Sequence, residues 1–382
     1  MIDTVENYWE QSQLDDFVKH ASKDARENFI SCFSDYHNIE NTKIELHSSG
    51  SNALETLLKK RNDDRTTVLV SAFTCNKVKN AIIKSGYKIS TYDFSGMPGK
   101  IDWSEVSELI HDDISILIVT HLFGIPVDFS DIKGDCEKSN VSIIEDCAHT
   151  LGGKIGNEIV GTIGDAAIFS FNYDKPISLC WGGISIVNNS GQFTRNVVSN
   201  YNLSTIEEEL EQLRFHKKWL IKRIQGQKYS GTLIYRIYKN IFHRYWKNKL
   251  MPLETIGLIQ SELGQWSLSN FDKIKKIRNS NAEYILSHYK GESWYMSPDI
   301  EPSFLKLKLG IKSNRKLENI INQFNENEIR AGVYNWPYII EDKESSEHLI
   351  ARMASQNWID VPIHQNLSEK DLEKICKILS DI

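Results

Sequence analysis

The sequence predicts an α/β fold with a mostly parallel central sheet and a smaller C-terminal α/β domain. Three observations carry this. Between about residues 45 and 190, short apolar runs recur without the alternation of a half-exposed sheet, as strands covered on both faces require. Helix-spaced segments separate those runs, as parallel crossovers demand. The chain has 382 residues, long for one ordinary core, and fits a large domain over residues 1–250 and a smaller one over 251–382.

Thr67–Phe73 (TVLVSAF) reads as a buried strand, and Asn76–Ser85 (NKVKNAIIKS) follows with helical spacing. Tyr87–Phe94 is a short strand, and Ile114–Thr120 (ISILIVT) is a strongly β-branched one. Val141–Ile144 leads into Glu145 and Asp146, and Ala166–Phe171 and Ile184–Val187 are further strands. The glycine-rich Gly152–Gly164 reads as a hairpin, with neither the spacing of a P-loop nor that of a dinucleotide fingerprint. From about 204 to 285 the pattern is helical, with one or two long amphipathic helices over 253–287. The rest is mixed α/β and closes with the helical Lys370–Leu379.

Composition excludes several classes. A formal net charge of −6, with 40% hydrophobic and 25% charged residues, is ordinary for a soluble globular protein and gives no global sign of nucleic-acid or membrane binding. The six cysteines form no CxxC pair and no zinc spacing, so a reduced, cytoplasmic chain without a metal is expected. Met1–Gln11 is polar and lacks the apolar stretch of a secretory signal. No apolar run approaches the ~20 residues that span a bilayer.

Ligands of open α/β sheets bind at the carboxyl ends of the strands. Asp146 follows one strand, and a carboxylate there needs a partner, because an isolated buried charge is very costly. A salt bridge, a metal or a protonated pyridine nitrogen would serve. Ser170 lies near the end of another strand, and Lys175 follows five residues later. A lysine amine is ordinarily protonated, and desolvation in a pocket makes Schiff-base chemistry possible. Gly182 and Gly183 then allow backbone to approach a bulky ligand. The stretch His47–Asn52 (HSSGSN) precedes a helix over Ala53–Lys60, where Gly50, Ser51 and Asn52 offer free backbone N–H groups to a phosphate. Helix capping alone would also explain those residues. Together, a phosphate cradle, a pyridinium partner and a lysine nucleophile are what pyridoxal 5'-phosphate (PLP) asks of a protein.

The motifs SSGSNAL (48–54), VSAFT (70–74), THLFG (120–124), IIEDCAHTLGG (143–153), GDAAIFSFNYDK (164–175), IGLIQSELGQ (256–265) and VPIHQNLSEKD (361–371) stand in an order that resembles the DegT/DnrJ/StrS family of sugar aminotransferases. The resemblance runs from about 45 to 190 and from about 250 to the end. It implies the fold-type I, aspartate aminotransferase-like architecture, a homodimer, and amino transfer from glutamate or glutamine to a nucleotide-linked keto-sugar for polysaccharide or glycoconjugate synthesis. It assigns Lys175 to the cofactor Schiff base and proton shuttling, Asp146 to the pyridine nitrogen, and Ser170, Ser51 and Asn52 to the phosphate. His149 stands where the family usually has a glutamine near the ring hydroxyl. Cys75 stands where an aromatic residue often stacks on the ring, and His364 matches a histidine near the substrate pocket.

The chain departs from the family pattern after about 190. Residues 211–250 hold eleven Lys or Arg against one acid, Glu211, with aromatics throughout. A solvated helical face explains this, and so would contact with a nucleotide-sugar diphosphate or an acidic membrane surface. Two rival functions remain at this level. Sugar dehydratases of the family characteristically carry histidine at the lysine position, against which Lys175 counts. A non-catalytic binding or regulatory member is the other, suggested by Cys75 and His149.

Overall fold

The structure is a computed structural model that describes residue 2 and residues 11–194, 204–227, 253–311, 314–333 and 348–380. Helices α1 (Gln11–His20) and α2 (Ala25–His37) open the chain, followed by β1 (Ile44–His47) and α3 (Gly50–Lys60). Strand β2 (Thr67–Ser71), α4 (Asn76–Lys84), β3 (Lys88–Tyr92), α5 (Trp103–Glu108), β4 (Ile114–Thr120), α6 (Ser130–Lys138) and β5 (Ser142–Asp146) alternate as expected. Then come β6 (Lys154–Ile155), β7 (Glu158–Ile159), β8 (Ala166–Ser170), β9 (Gly183–Val187) and α7 (Ile206–Gln227). The 31-residue helix α8 (Leu258–His288) leads to β10 (Glu292–Ser293), β11 (Ile300–Glu301), β12 (Leu307–Gly310), α9 (Asn314–Glu326) and β13 (Gly332–Val333). Helix α10 (Leu349–Asn357), β14 (Trp358–Val361) and α11 (Glu369–Ser380) end the described chain.

The main sheet has seven strands in the order β1-β9-β8-β5-β4-β2-β3. Strands β3, β2, β4, β5 and β8 pair in parallel, while β9 runs antiparallel to both β8 and β1. The sheet is therefore mostly parallel, and its carboxyl ends form one edge. Every residue of β4 is buried, and its side chains divide between two cores. Ile116 and Ile118 pack with Leu54, Leu57 and Ile82 beneath α3 and α4, whereas Leu117 and Val119 pack with Phe129 and Ile132 on the other face.

A second, antiparallel sheet has the order β10-β12-β14-β13. It docks where the main strands end. Phe73, Phe94 and Phe123, which follow β2, β3 and β4, share a core with Leu307, Leu309 and Trp358. Phe123 meets Trp294 edge-on at 4.9 Å, and Trp294 meets Trp358 at 5.7 Å. This wall stands beside the carboxyl edge of the main sheet. The glycine-rich segment is the expected hairpin, β6 against β7, to which β11 adds a third strand.

Two boundaries differ from the sequence reading. Helix α3 begins at Gly50 rather than Ala53, because the Ser49 hydroxyl accepts the Asn52 N–H at 3.1 Å and caps it there. Helix α8 begins at Leu258 rather than near 253, and it is a single long helix, one of the two forms expected there. Of the basic segment 211–250, the part to residue 227 lies in α7, and residues 228–250 fall outside the described residues. No helix among the described residues is long and apolar enough to cross a membrane. All six cysteines are free thiols.

Candidate active site

Three adjacent parallel strands each end on a polar residue: β4 on Thr120, β5 on Asp146 and β8 on Ser170. Thr120 and Asp146 are direct register partners. The chain leaves β8, passes through Lys175 and returns as β9, so the lysine hangs over the same edge. These residues line one cleft of about 580 Å³, with Gly50, Ser51, Asn52, Cys75, His149 and Lys175. The structure thus brings together eight of the nine residues singled out from sequence. The ninth, His364, is buried beyond β14, accepts from the Asn366 N–H at 3.4 Å, and is not among the cleft-lining residues.

The N-terminus of α3 is held against this edge by close backbone contact. Gly182 donates its N–H to the Ser48 carbonyl at 3.0 Å, with φ +109°, and a Cβ on Gly183 would lie 2.5 Å from the Gly50 nitrogen. The glycine pair is therefore required by the β1–α3 junction itself. A Cβ on Gly50 would lie 2.8 Å from Ser170 Cβ, so the first turn of α3 and the end of β8 face each other with no room for a side chain between them.

Burial, partly offset by the Ala148 N–H at 3.1 Å and by Lys175, pushes the Asp146 carboxyl above its usual range. Burial first, then the charges of Lys175 and Lys306, holds His149 well below an ordinary histidine, so the ring is neutral. Its Nδ1 accepts from the Phe123 N–H at 3.5 Å, which puts the proton on Nε2. Cys75 caps α4, its sulfur accepting from the Lys77 N–H at 3.5 Å, and burial raises its thiol pKa. Lys175 Nζ lies 3.9 Å from Asp174 Oδ1.

Sequence reasoning passed over the support behind Asp146. The preceding Glu145 is buried and accepts from the N–H groups of Gly161, Ile163 and Gly164, each at 2.8 Å, and from His121 Nε2 at 3.1 Å. His121 Nδ1 accepts from the Val127 N–H at 2.9 Å. Burial opposes ionisation of Glu145, but these donors outweigh it and hold the carboxyl below its usual value. His121, Glu145 and Cys147 lie close enough to suggest a metal site. The hydrogen bonds already made by His121 and Glu145 make the group a structural tie instead.

PLP fits the residues of this cleft. The Asp146 carboxylate is strained by burial, which a cationic ring N–H would relieve. The α3 N-terminus opposite Ser170 offers backbone donors to a phosphate. The buried hydroxyls of Thr74 and Thr120 have no hydrogen-bond partner among the described residues, and both line the cleft.

A mostly parallel sheet with a lysine and a buried carboxylate at its carboxyl edge defines a fold-type I transferase architecture. Residues 14–216 match the model of the DegT/DnrJ/EryC1/StrS aminotransferase family, and the chain belongs to that family. It is 22% identical over 380 residues to a GDP-perosamine synthase of Escherichia coli O157:H7, covering 99% of this chain and 93% of that one. Its fold matches Helicobacter pylori PseC, an aminotransferase involved in the biosynthesis of pseudoaminic acid, with a TM-score of 0.75, 17% identity, and 99% and 98% of the two chains covered. It also matches a candidate sugar aminotransferase of Streptococcus pneumoniae in its PLP form, with a TM-score of 0.73 and 17% identity over 99% of this chain and 97% of that one.

Proposed function

We propose that this protein is a PLP-dependent aminotransferase that moves an amino group from glutamate or glutamine to a keto group on a nucleotide-linked sugar, as a cytoplasmic homodimer serving glycan synthesis. The observation that carries the reading is the convergence of Lys175, Asp146 and the Gly50–Ser170 cradle on one cleft, in a chain of an aminotransferase family. When bound, the cofactor supplies the electron sink that an amino-group transfer needs.

The chain's own residues do the rest. Lys175 would hold the cofactor through its Nζ, and the same amine would be the base that takes up and returns the substrate's proton. Asp146 holds a proton on the ring nitrogen, because its buried carboxylate has the most to gain from a cationic partner. Gly50, Ser51 and Ser170 would hold the phosphate with hydroxyls and backbone N–H groups, and Asn52, whose N–H is already given to the Ser49 cap, would contribute only through its side chain. His149, neutral with its proton on Nε2, would donate toward the ring substituents, and Cys75, at the start of α4, would flank the ring. Residues up to about 250 carry the cofactor, and the smaller C-terminal part packs against the residues that follow β2, β3 and β4. The basic segment 211–250 remains a candidate for the substrate diphosphate. His364 belongs to the substrate side only if closure or a partner subunit brings it there.

The purified protein, incubated with PLP, should show a Schiff-base absorption band that Lys175→Ala abolishes. A panel of nucleotide-linked keto-hexoses with glutamate, scored by mass, should yield an amino-sugar and 2-oxoglutarate. A protein that ignores the cofactor is not an enzyme of this kind, and loss of water without amine transfer means a dehydratase.

A further inference from the structure

Two cleft-lining residues lie outside the cofactor assignments above, and each carries a buried polar atom with no hydrogen-bond partner among the described residues. One is the acceptor Asp174 Oδ1, and the other is the donor Trp181 Nε1. Native proteins leave few such atoms without a hydrogen bond, because each costs about 1–3 kcal/mol, and Asp174 Oδ1 has among the described residues only the Lys175 ammonium, 3.9 Å away. Both backbones are fixed. Lys175 N–H bonds back to the Asn172 carbonyl at 3.2 Å, closing the turn around Asp174. Gln260 Nε2 donates to the carbonyls of Leu179 at 2.7 Å and Trp181 at 3.2 Å, anchoring the indole's own stretch of chain. Trp181 is only 9% exposed and leans on His216, ring centroids 6.1 Å apart.

We propose that Asp174 and Trp181 form the subsite that recognises a hydroxyl of the acceptor sugar, an inference that rests on the aminotransferase reading above. A sugar hydroxyl can donate to a carboxylate and accept from an indole N–H, so the several hydroxyls of one sugar in the cleft match both atoms. The amino donor fits this place poorly, because a carboxylate here repels the donor's own carboxylates. The cofactor phosphate is disfavoured for the same reason. Asp174 lies next to Lys175, with 3.9 Å between Oδ1 and Nζ, so a hydroxyl held there sits beside the reacting amine.

The test separates the two half-reactions of the holoenzyme. The donor half is read with glutamate by the change in cofactor spectrum. The acceptor half is read with the nucleotide-linked keto-hexose that turns over in the screen above. Asp174→Asn keeps the shape but loses the charge, and the KM for the keto-sugar should rise about tenfold or more, as loss of a hydrogen bond to a charged group implies. Trp181→Phe keeps the plane but loses the donor and should raise it about two- to tenfold. The glutamate half-reaction should change less than about threefold in both, with cofactor band and melting temperature retained. An unchanged sugar KM in both variants, or a glutamate half-reaction slowed as much as the sugar half, overturns the subsite. Absence of a cofactor band in the unmodified protein is a different failure, removing the aminotransferase reading and this one with it.

Discussion

Gly50 and Ser170 stand so close that a Cβ on the glycine would fall 2.8 Å from the serine Cβ and 3.2 Å from its Oγ. One opens α3 and the other ends β8, so 120 residues of chain separate two halves of one cradle. Gly50→Ala should therefore push the α3 N-terminus off Ser170. We expect PLP to bind at least about tenfold more weakly, since two or more hydrogen bonds to an anion are weakened. Titration by absorbance, with circular dichroism to check the fold, measures this. Unchanged affinity would mean that the phosphate sits elsewhere.

Asp146 and Lys175 make separable contributions. Asp146→Asn removes the charge but leaves the Ala148 N–H an acceptor oxygen at 3.1 Å, so the strand end should fold as before. Its affinity for the cofactor should fall by about 100-fold or more, the scale of breaking a buried ion pair. Lys175→Ala should still bind the cofactor, but borohydride should no longer fix its mass to the protein. Because burial raises the Asp146 carboxyl in the free protein, its ionisation is a destabilising term. Stability of the cofactor-free protein is greatest, as far as this group decides it, below the unfolded carboxyl pKa and declines as pH rises through the folded one. A cationic ring partner removes that decline, so the melting temperature gained on adding PLP should grow as pH rises from about 4 to 7.

How much of this was legible in sequence depends on whether the signal was local. Asp146 and Ser170 could be read because each closes an apolar run, and a polar group at the end of a buried strand stands out against it. Lys175 could be read from its distance to Ser170. Glu145 could not, although it is adjacent to Asp146. Its partners at Gly161, Ile163 and Gly164 are backbone N–H groups, which leave no side-chain signature at any spacing. The pairing of Thr120 with Asp146 depends on strand register, and the start of α3 at Gly50 depends on which of two serines supplies the cap. The glycines at 182 and 183 read as room for a ligand, but Gly183 makes room for Ser49 and Gly50.

Glu145→Gln should show what that unread network does. The amide retains one acceptor oxygen but turns N–H groups toward backbone N–H groups, so the cost should be about 2–4 kcal/mol of stability. Denaturant midpoints measure it. The pH dependence carries the sign. The folded carboxyl lies below its unfolded value, so its stabilisation is complete above about pH 4.3 and is lost as pH falls through the folded value. The wild-type chain should lose its advantage over the variant across that acid range. A constant difference would show that the charge of Glu145 is not what holds the 161–164 turn.

Cys75 offers a reporter at the other side of the cleft. It is half-buried at the N-cap of α4, and burial lifts its thiol above the ordinary value despite the Lys77 N–H and the charge of Lys175. Only the thiolate reacts with a maleimide, so Cys75 should be alkylated more slowly than an exposed thiol at pH 7.5 and should speed up steeply toward pH 9. Bound PLP should cover the sulfur and slow the reaction further, and Lys175→Ala should weaken that protection by loosening the cofactor. Peptide mass mapping of the labelled site follows all three comparisons. Equal labelling with and without the cofactor would place the ring away from the start of α4, and the part assigned to Cys75 would fall.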